Sequence, residues 1–582
     1  MKRSNVVARC ICWLVIMAEV AIFSPSEFGA GNAAAAKAIT IVDQNGHLVP
    51  NAPPSATSQI FDVTVGPNGM LQFSPSTVTI SVGDTVRWTW GSSNHSVTSG
   101  TPCTVDGQFC SPNDTNCSAG TLSNTGFVYE HTFTVAGTYS YFCHAHCAFG
   151  MTGTVNVVSG SATWLASPAT GDWNTAANWT AGGPPNGSAD TATFASSNIT
   201  GVSLSLNTEV NGIVFNAGAS PFTITASATL ALTISGVGIT NNSGITQNFV
   251  TATNGNNGVI NFTNSATAGS LTAFTNNGST VSGGLGGSTA FDNSATAGNA
   301  TLIANGGLNG GLGGSIYFIG PSTGGTARVE VFGNGNLDIS EHNAPGVTTG
   351  SIEGSGLVFL GAFNLTVGNN NLTKTFSGKI QDGGLGGGTG GSLTKTGSGK
   401  LTLSKASTYT GGTTVNSGTL LVTNRTGSGT GTGTVQVNTG TLGGTGKITG
   451  AVTVGTGSSS GAIVLPGKSA TAPGILTINS ALTFNSLSTY KCVLNRSTPI
   501  AGEITALGVT INSSASFTFV DVGTGTLTVG TVFTVINNTS ANPIFGTFSN
   551  LSNGSVFASR GNNFQASYTG GTGNDLTLTV VP

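Results

Sequence analysis

Beyond the N-terminus, no stretch of this chain sustains the 3.6-residue apolar period of an amphipathic helix. Short runs in which Val, Ile, Leu or Phe alternate with Thr, Ser or Asn recur instead, separated by Gly- and Asn-rich turns. Thr and Val suit strands, and Gly and Asn suit turns. The expected class is therefore all-β. Disorder is the alternative for a chain with 89 glycines, but the repeated apolar alternation argues against it. At 582 residues the chain exceeds one ordinary domain. Charged residues are 6 % and the net charge is −3, so there is no basic footprint for nucleic acid.

Residues 1–38 read as an export signal. Lys2, Arg3 and Arg9 precede an apolar run from Cys10 to Phe23, and Ala36-Lys37-Ala38 is a small-residue exit. Glu19 within the run is atypical. No later segment is long and apolar enough for a membrane helix. Export implies an oxidising compartment in which disulfides persist: periplasm, cell surface or extracellular space.

Residues 39–159 form the first expected domain. Strands are expected at Ile60–Val65, Leu71–Phe73, Thr77–Val82, Thr85–Trp90, Phe127–Val135, Thr138–Cys143 and Thr152–Val158, a spacing that suits a β-sandwich. The most informative stretch is YSYFCHAHCAFGMTG, which sets Cys143, His146 and Met151 in a C-x2-H-x4-M spacing. His95 lies upstream in GSSNHSVTS. A thiolate, two imidazoles and a thioether are the ligand set of a blue-copper electron-transfer site. Each residue has a plainer reading. Cys143 could be half of a disulfide, Met151 a core thioether, and His95 a strand histidine at the surface. His144 competes with His146, but only His146 fits both spacings. His47, His131 and His342 lack partner spacing and are expected to be solvated.

FSPSTVTISVGDTVRWTW, NHSV, HTFTVAGTYSYFC and the C-x2-H-x4-M ending together resemble the cupredoxins, of the plastocyanin and pseudoazurin type, over roughly residues 60–158. The resemblance implies a Greek-key sandwich holding one type 1 copper through His95, Cys143, His146 and Met151. It also implies a redox-protein partner that meets the His146 edge beside Ala148, Phe149 and Gly150. Two departures stand out. Ser96 follows His95 where plastocyanins commonly have Asn, so the group that bonds the thiolate region differs. An insertion, residues 99–118, carries Cys103, Cys110 and Cys117. With Cys147 these make four cysteines and three possible pairings. Two disulfides are expected, one tying the insertion to the copper loop through Cys147. The rival is a second metal site that adds His144 to these thiolates.

Residues 160–582 form the second expected domain. Charge and cysteine thin out, and Trp164, Trp173 and Trp179 cluster at its start, where a repeat array needs a closing surface. FTNSATAG at 262–269 recurs as FDNSATAG at 291–298, and GGLGG occurs three times. SLTKTGSGKLTLSKASTYTGGTTVNSGTLLV, residues 392–422, resembles the autotransporter-associated β-strand repeat, which implies a long right-handed parallel β-helix. No membrane-barrel pattern follows, and the last strand is expected to cap the array. Cys492 is expected as a buried small apolar residue. The carboxylates of this half look scattered, which argues against catalysis there, and one copper site without a substrate-binding copper cluster leads to the expectation that the chain is not an enzyme. The leading reading is an exported copper protein for single-electron transfer, displayed on the solenoid. The alternative is a surface or matrix adhesin whose copper module stores the metal or is accessory.

Overall fold

The computed structural model describes residues 59–582, apart from 82–83, 134–136, 159 and 181–183. The expected export signal and His47 lie outside the described residues. Among the described residues the chain is all-β: the only helical segments are single 3-10 turns, and no helix is long and apolar enough to cross a membrane.

The first part has nine strands: β1 Ile60–Val65, β2 Phe73–Ser74, β3 Thr77–Ser81, β4 Thr85–Trp90, β5 Thr98–Thr101, β6 Thr104–Cys110, β7 Val128–Thr132, β8 Gly137–Phe142 and β9 Thr152–Val158. They make two sheets, ordered β2-β1-β4-β7 and β3-β9-β8-β5-β6. In β4 the alternation drives Val86, Trp88 and Trp90 inward. Trp88 packs against Tyr129 of its own sheet and against Phe109 and Tyr141 of the other, with ring centroids 5.4, 5.7 and 5.4 Å away. That aromatic cluster joins the sheets.

The insertion was expected only as a cysteine-bearing segment, yet it builds the β5–β6 hairpin and sends Phe109 into the core. Its polar side is pinned by Asp114, which accepts a hydrogen bond from Tyr129 Oη and one of 3.0 Å from His131 Nδ1. His131 is therefore engaged, not solvated as expected, and stacks on Phe109 at 5.0 Å. Burial pushes the Asp114 carboxyl up, but the Tyr129, His131 and Cys110 N–H bonds outweigh it and hold the carboxyl below its ordinary value.

From Ala162 onward the chain winds as a parallel solenoid. A ten-stranded sheet runs from Ala162–Thr163 to Lys379–Gln381, each strand pairing in parallel with its counterpart one coil on. A second, larger sheet of 23 strands stacks beside it and continues to Ser516–Val522. Each strand buries alternate residues, so the coils share one continuous core. The duplicated octapeptides occupy equivalent places. Phe262, Phe291 and Phe318 are in register and stack at 4.9 and 5.1 Å, while Thr267, Thr296 and Thr323 bridge successive coils. Trp164, Trp173 and Trp179 close around Phe194 at the first coils. At the other end the pairing turns antiparallel, through Val556–Ser559, Asn562–Gly570 and Asp575–Val581. Cys492 is buried and free, as expected. His342 is buried rather than solvated: Nδ1 and Nε2 each lie 2.6 Å from a carbonyl oxygen, of Asn343 and Ser322.

Two outcomes test this packing. Phe291→Ala removes the middle ring of a stack and is expected to destabilise the solenoid by about 3–5 kcal/mol, read as a lower urea midpoint of the full chain. For Asp114, a carboxylate with a lowered folded pKa, the stabilisation is complete above the ordinary range of about 4. It is lost as the pH falls through the lowered folded value. Amide exchange across residues 99–118 is expected to accelerate on acidification, and Asp114→Asn to remove that dependence.

Candidate metal centre

His95 follows β4, while Cys143 and His146 follow β8, so the two ligand segments meet only when the sandwich closes. His95 Nδ1 lies 3.7 Å from Cys143 Sγ and 3.1 Å from His146 Nδ1, and His146 Nδ1 lies 3.4 Å from Cys143 Sγ. These three are the one group of convergent His, Cys, Asp or Glu donors found among the described residues. Met151 is fully buried and belongs to the same core cluster as Cys143. The loop between them is drawn tight by its backbone. His146 N–H donates to Cys143 O at 3.1 Å, and Cys143 N–H donates to Met151 O at 3.0 Å.

The surroundings prepare His95 to accept a metal ion. Its Nε2 lies 3.1 Å from Ser92 Oγ, which lies 2.6 Å from the Gly66 carbonyl oxygen. A carbonyl only accepts, so the single Ser92 proton goes to Gly66, and His95 Nε2 must donate to Ser92. Nδ1 is then left with its lone pair directed at Cys143 and His146. Burial, and secondarily His146, lower the His95 pKa and favour that neutral ring. Trp90 Nε1 donates to His95 O at 2.8 Å and fixes the backbone.

Ser96 supplies what its departure from the plastocyanin pattern left open. Its backbone N–H donates to Cys143 Sγ at 3.4 Å, and its Oγ accepts the His144 N–H at 2.8 Å. One residue therefore stitches the His95 segment to the Cys143 segment and stabilises charge on sulfur. His144 is exposed and outside the convergent group. The disulfides are Cys103–Cys147 and Cys110–Cys117. The first braces the ligand loop against the insertion, and with all four sulfurs bonded to each other the rival second metal site has no thiolates. Phe149 is 75 % exposed beside this loop, so the insertion does not cover it.

Sequence reasoning found the converging residues but missed Ser92 and Gly66. Ser92 carries no motif: its role rests on the turn that brings Gly66 to it. A Cβ on Gly66 would lie 2.3 Å from Ser92 Oγ and 2.5 Å from His95 Nε2, and its φ of +64° is one that favours glycine.

Fold and donor set together define a cupredoxin, a copper-binding β-sandwich, followed by a β-solenoid. Comparison with known proteins agrees. The family model "Copper binding proteins, plastocyanin/azurin family" matches residues 61–158, and the "Passenger-associated-transport-repeat" matches residues 393–422. A plastocyanin of Scenedesmus fuscus is 36 % identical over 103 residues, which are 16 % of this chain and 99 % of that protein. The chloroplastic plastocyanin of Tetradesmus obliquus is 36 % identical over 94 residues, 16 % of this chain and 61 % of that protein. Among solved structures, a purple cupredoxin from Nitrosopumilus maritimus is 31 % identical, with 17 % of this chain and 98 % of that one covered and a TM-score of 0.14. Through residues 61–158 the chain belongs to the plastocyanin/azurin family of copper-binding proteins.

Gly66→Ala should push Ser92 and His95 out of place. Copper uptake by the variant is expected to fall sharply, measured by competition with a chromophoric chelator, while the far-UV spectrum keeps its β signature.

Proposed function

We propose that this is an exported, single-electron copper carrier in which His95, Cys143, His146 and Met151 hold one type 1 copper and the solenoid displays it. The observation that carries the reading is the convergence of two Nδ1 atoms and one Sγ atom, with His95 locked in the tautomer that offers Nδ1. Copper held by such a donor set supplies one-electron redox chemistry. Cys143 contributes the thiolate, with the Ser96 N–H offsetting its charge. His146 is half-buried, beside exposed Ala148 and Phe149, which suits a redox-protein partner docking on an apolar rim. A loop braced by Cys103–Cys147 and tied by Ser96 resists rearrangement between oxidation states.

Export is supported by the two disulfides, which suit an oxidising compartment, and by the passenger-associated repeat. The reading includes no catalysis by the chain itself. The carboxylates were expected to be scattered, but Glu330 and Glu353 face each other on adjacent coils. Both are taken up in ion pairs, Glu330 with Arg328, and Glu353 with Arg328 and Lys374.

The copper-loaded full chain is expected to be intensely coloured by a thiolate-to-copper band and to show reversible one-electron voltammetry. Cys143→Ser should abolish the band without unfolding the chain. A colourless, folded Cu(II) form would overturn the assignment. Tight Cu(I) binding with negligible electron exchange would favour the storage reading of a surface or matrix adhesin.

A further inference from the structure

Between Asp382 and Glu503 the chain contains no Asp or Glu, yet it carries eight lysines and arginines. In a protein with 17 such cations and net charge −3, that stretch of solenoid is a local island of positive charge. Its cations are not spread evenly. Lys400, Arg425, Lys447 and Lys468 rim one depression of about 740 Å³. None of the four has a side-chain ion pair or hydrogen bond among the described residues, in contrast to Arg328, Lys374 and Arg496, which pair with carboxylates.

Register explains the arrangement. Strands Lys400–Leu403, Thr419–Val422, Gly440–Gly444 and Ala462–Ser469 are successive rungs of one parallel ladder. Lys400 lies on the first rung and Arg425 just beyond the second. Lys447 lies just beyond the third, and Lys468 near the end of the fourth. Each coil thus contributes one cation, but not in one column. Register sets Lys400 opposite Thr419 and Thr441 at one end of the depression, while Arg425, Lys447 and Lys468 lie at the other end on successive rungs, which repeat about every 4.8 Å. The floor dips at the third rung because Gly443, which has no side chain, is in line with Leu421 and Leu465. A Cβ there would lie 2.5 Å from Leu465 O and 3.1 Å from Leu421 Cδ2. The wall is the short hairpin in which Gly467 and Ser469 pair with Pro473 and Ala472. Thr402, Thr423, Thr445 and Thr477 add hydroxyls to the lining.

We propose that this depression binds a linear acidic polysaccharide along the solenoid axis, with successive anionic groups at Arg425, Lys447 and Lys468 and Lys400 closing the depression at its other end. A polyuronate carries one carboxylate on every ring, and one ring is close in length to one rung. Unpaired cations recognise the carboxylates, and the threonine hydroxyls face the sugar hydroxyls. No aromatic ring lines the site, so it lacks the stacking platform that single-stranded nucleic acid uses. The ligand would tether the solenoid to an acidic matrix independently of copper.

The test titrates the full-length protein with polygalacturonate by calorimetry at two salt concentrations. Binding is expected, and weaker at high salt, since exposed ion pairs are screened. The double variant Lys400→Gln/Lys447→Gln should bind about tenfold more weakly, whereas Lys405→Gln, outside the depression, should bind unchanged. All three exchanges are of surface side chains, and unchanged circular dichroism checks the fold. The proposal is overturned if neutral dextran or inorganic phosphate binds as tightly as polygalacturonate, if oligothymidylate does so, or if the double variant binds like the parent.

Discussion

The backbone ladder is the interaction on which the rest of this protein depends. With few charges and many glycines and threonines, the chain has little side-chain chemistry with which to specify a fold. Parallel in-register pairing, coil upon coil, satisfies the backbone N–H and C=O groups and at the same time aligns like residues. Once register is set, Phe stacks on Phe and Thr bridges to Thr, and a four-residue strand that is unstable alone becomes one rung of a common core. The same register decides which outward cations become neighbours, which is how residues some 20 positions apart come to rim one depression.

The metal centre depends on a different kind of closure. His95 and Cys143 lie 48 positions apart and on opposite sheets' connections, so their meeting is a consequence of the aromatic core around Trp88. Ser96 converts that meeting into a fixed geometry, since its N–H and its Oγ bond to two consecutive residues of the other segment. Ser92 then sets the proton position on His95 through Gly66. The donor set is held by bonds already made in the folded chain, which limits the movement that a change of charge could provoke.

Much of this was legible in the residues. The C-x2-H-x4-M spacing named Cys143 and His146, and the NHSV segment named His95, the three residues that converge. The alternation in TVRWTW placed Trp88 and Trp90 inside, and the duplicated octapeptides marked the stacked coils. His131 and His342 were read as solvated because nothing in their neighbours predicts burial. Asp114 and Phe109 reach His131 through the insertion hairpin, and the carbonyls around His342 come from its own turn and from the preceding coil. The pairing of Glu330 with Glu353 was invisible for the same reason: register across coils is not written in linear spacing.

The sequence by itself determined the all-β class, the division into a copper-type sandwich and a repeat array, and the identity of the converging residues. Those follow from period, turn chemistry and ligand type, which are local properties. The tertiary structure decided the tautomer of His95, the cysteine pairing, the role of Ser96 and the gathering of four unpaired cations from successive coils around one depression. Each of these depends on which atoms come within a few ångströms across long sequence separations, and only the closed sandwich and the stacked register set those distances.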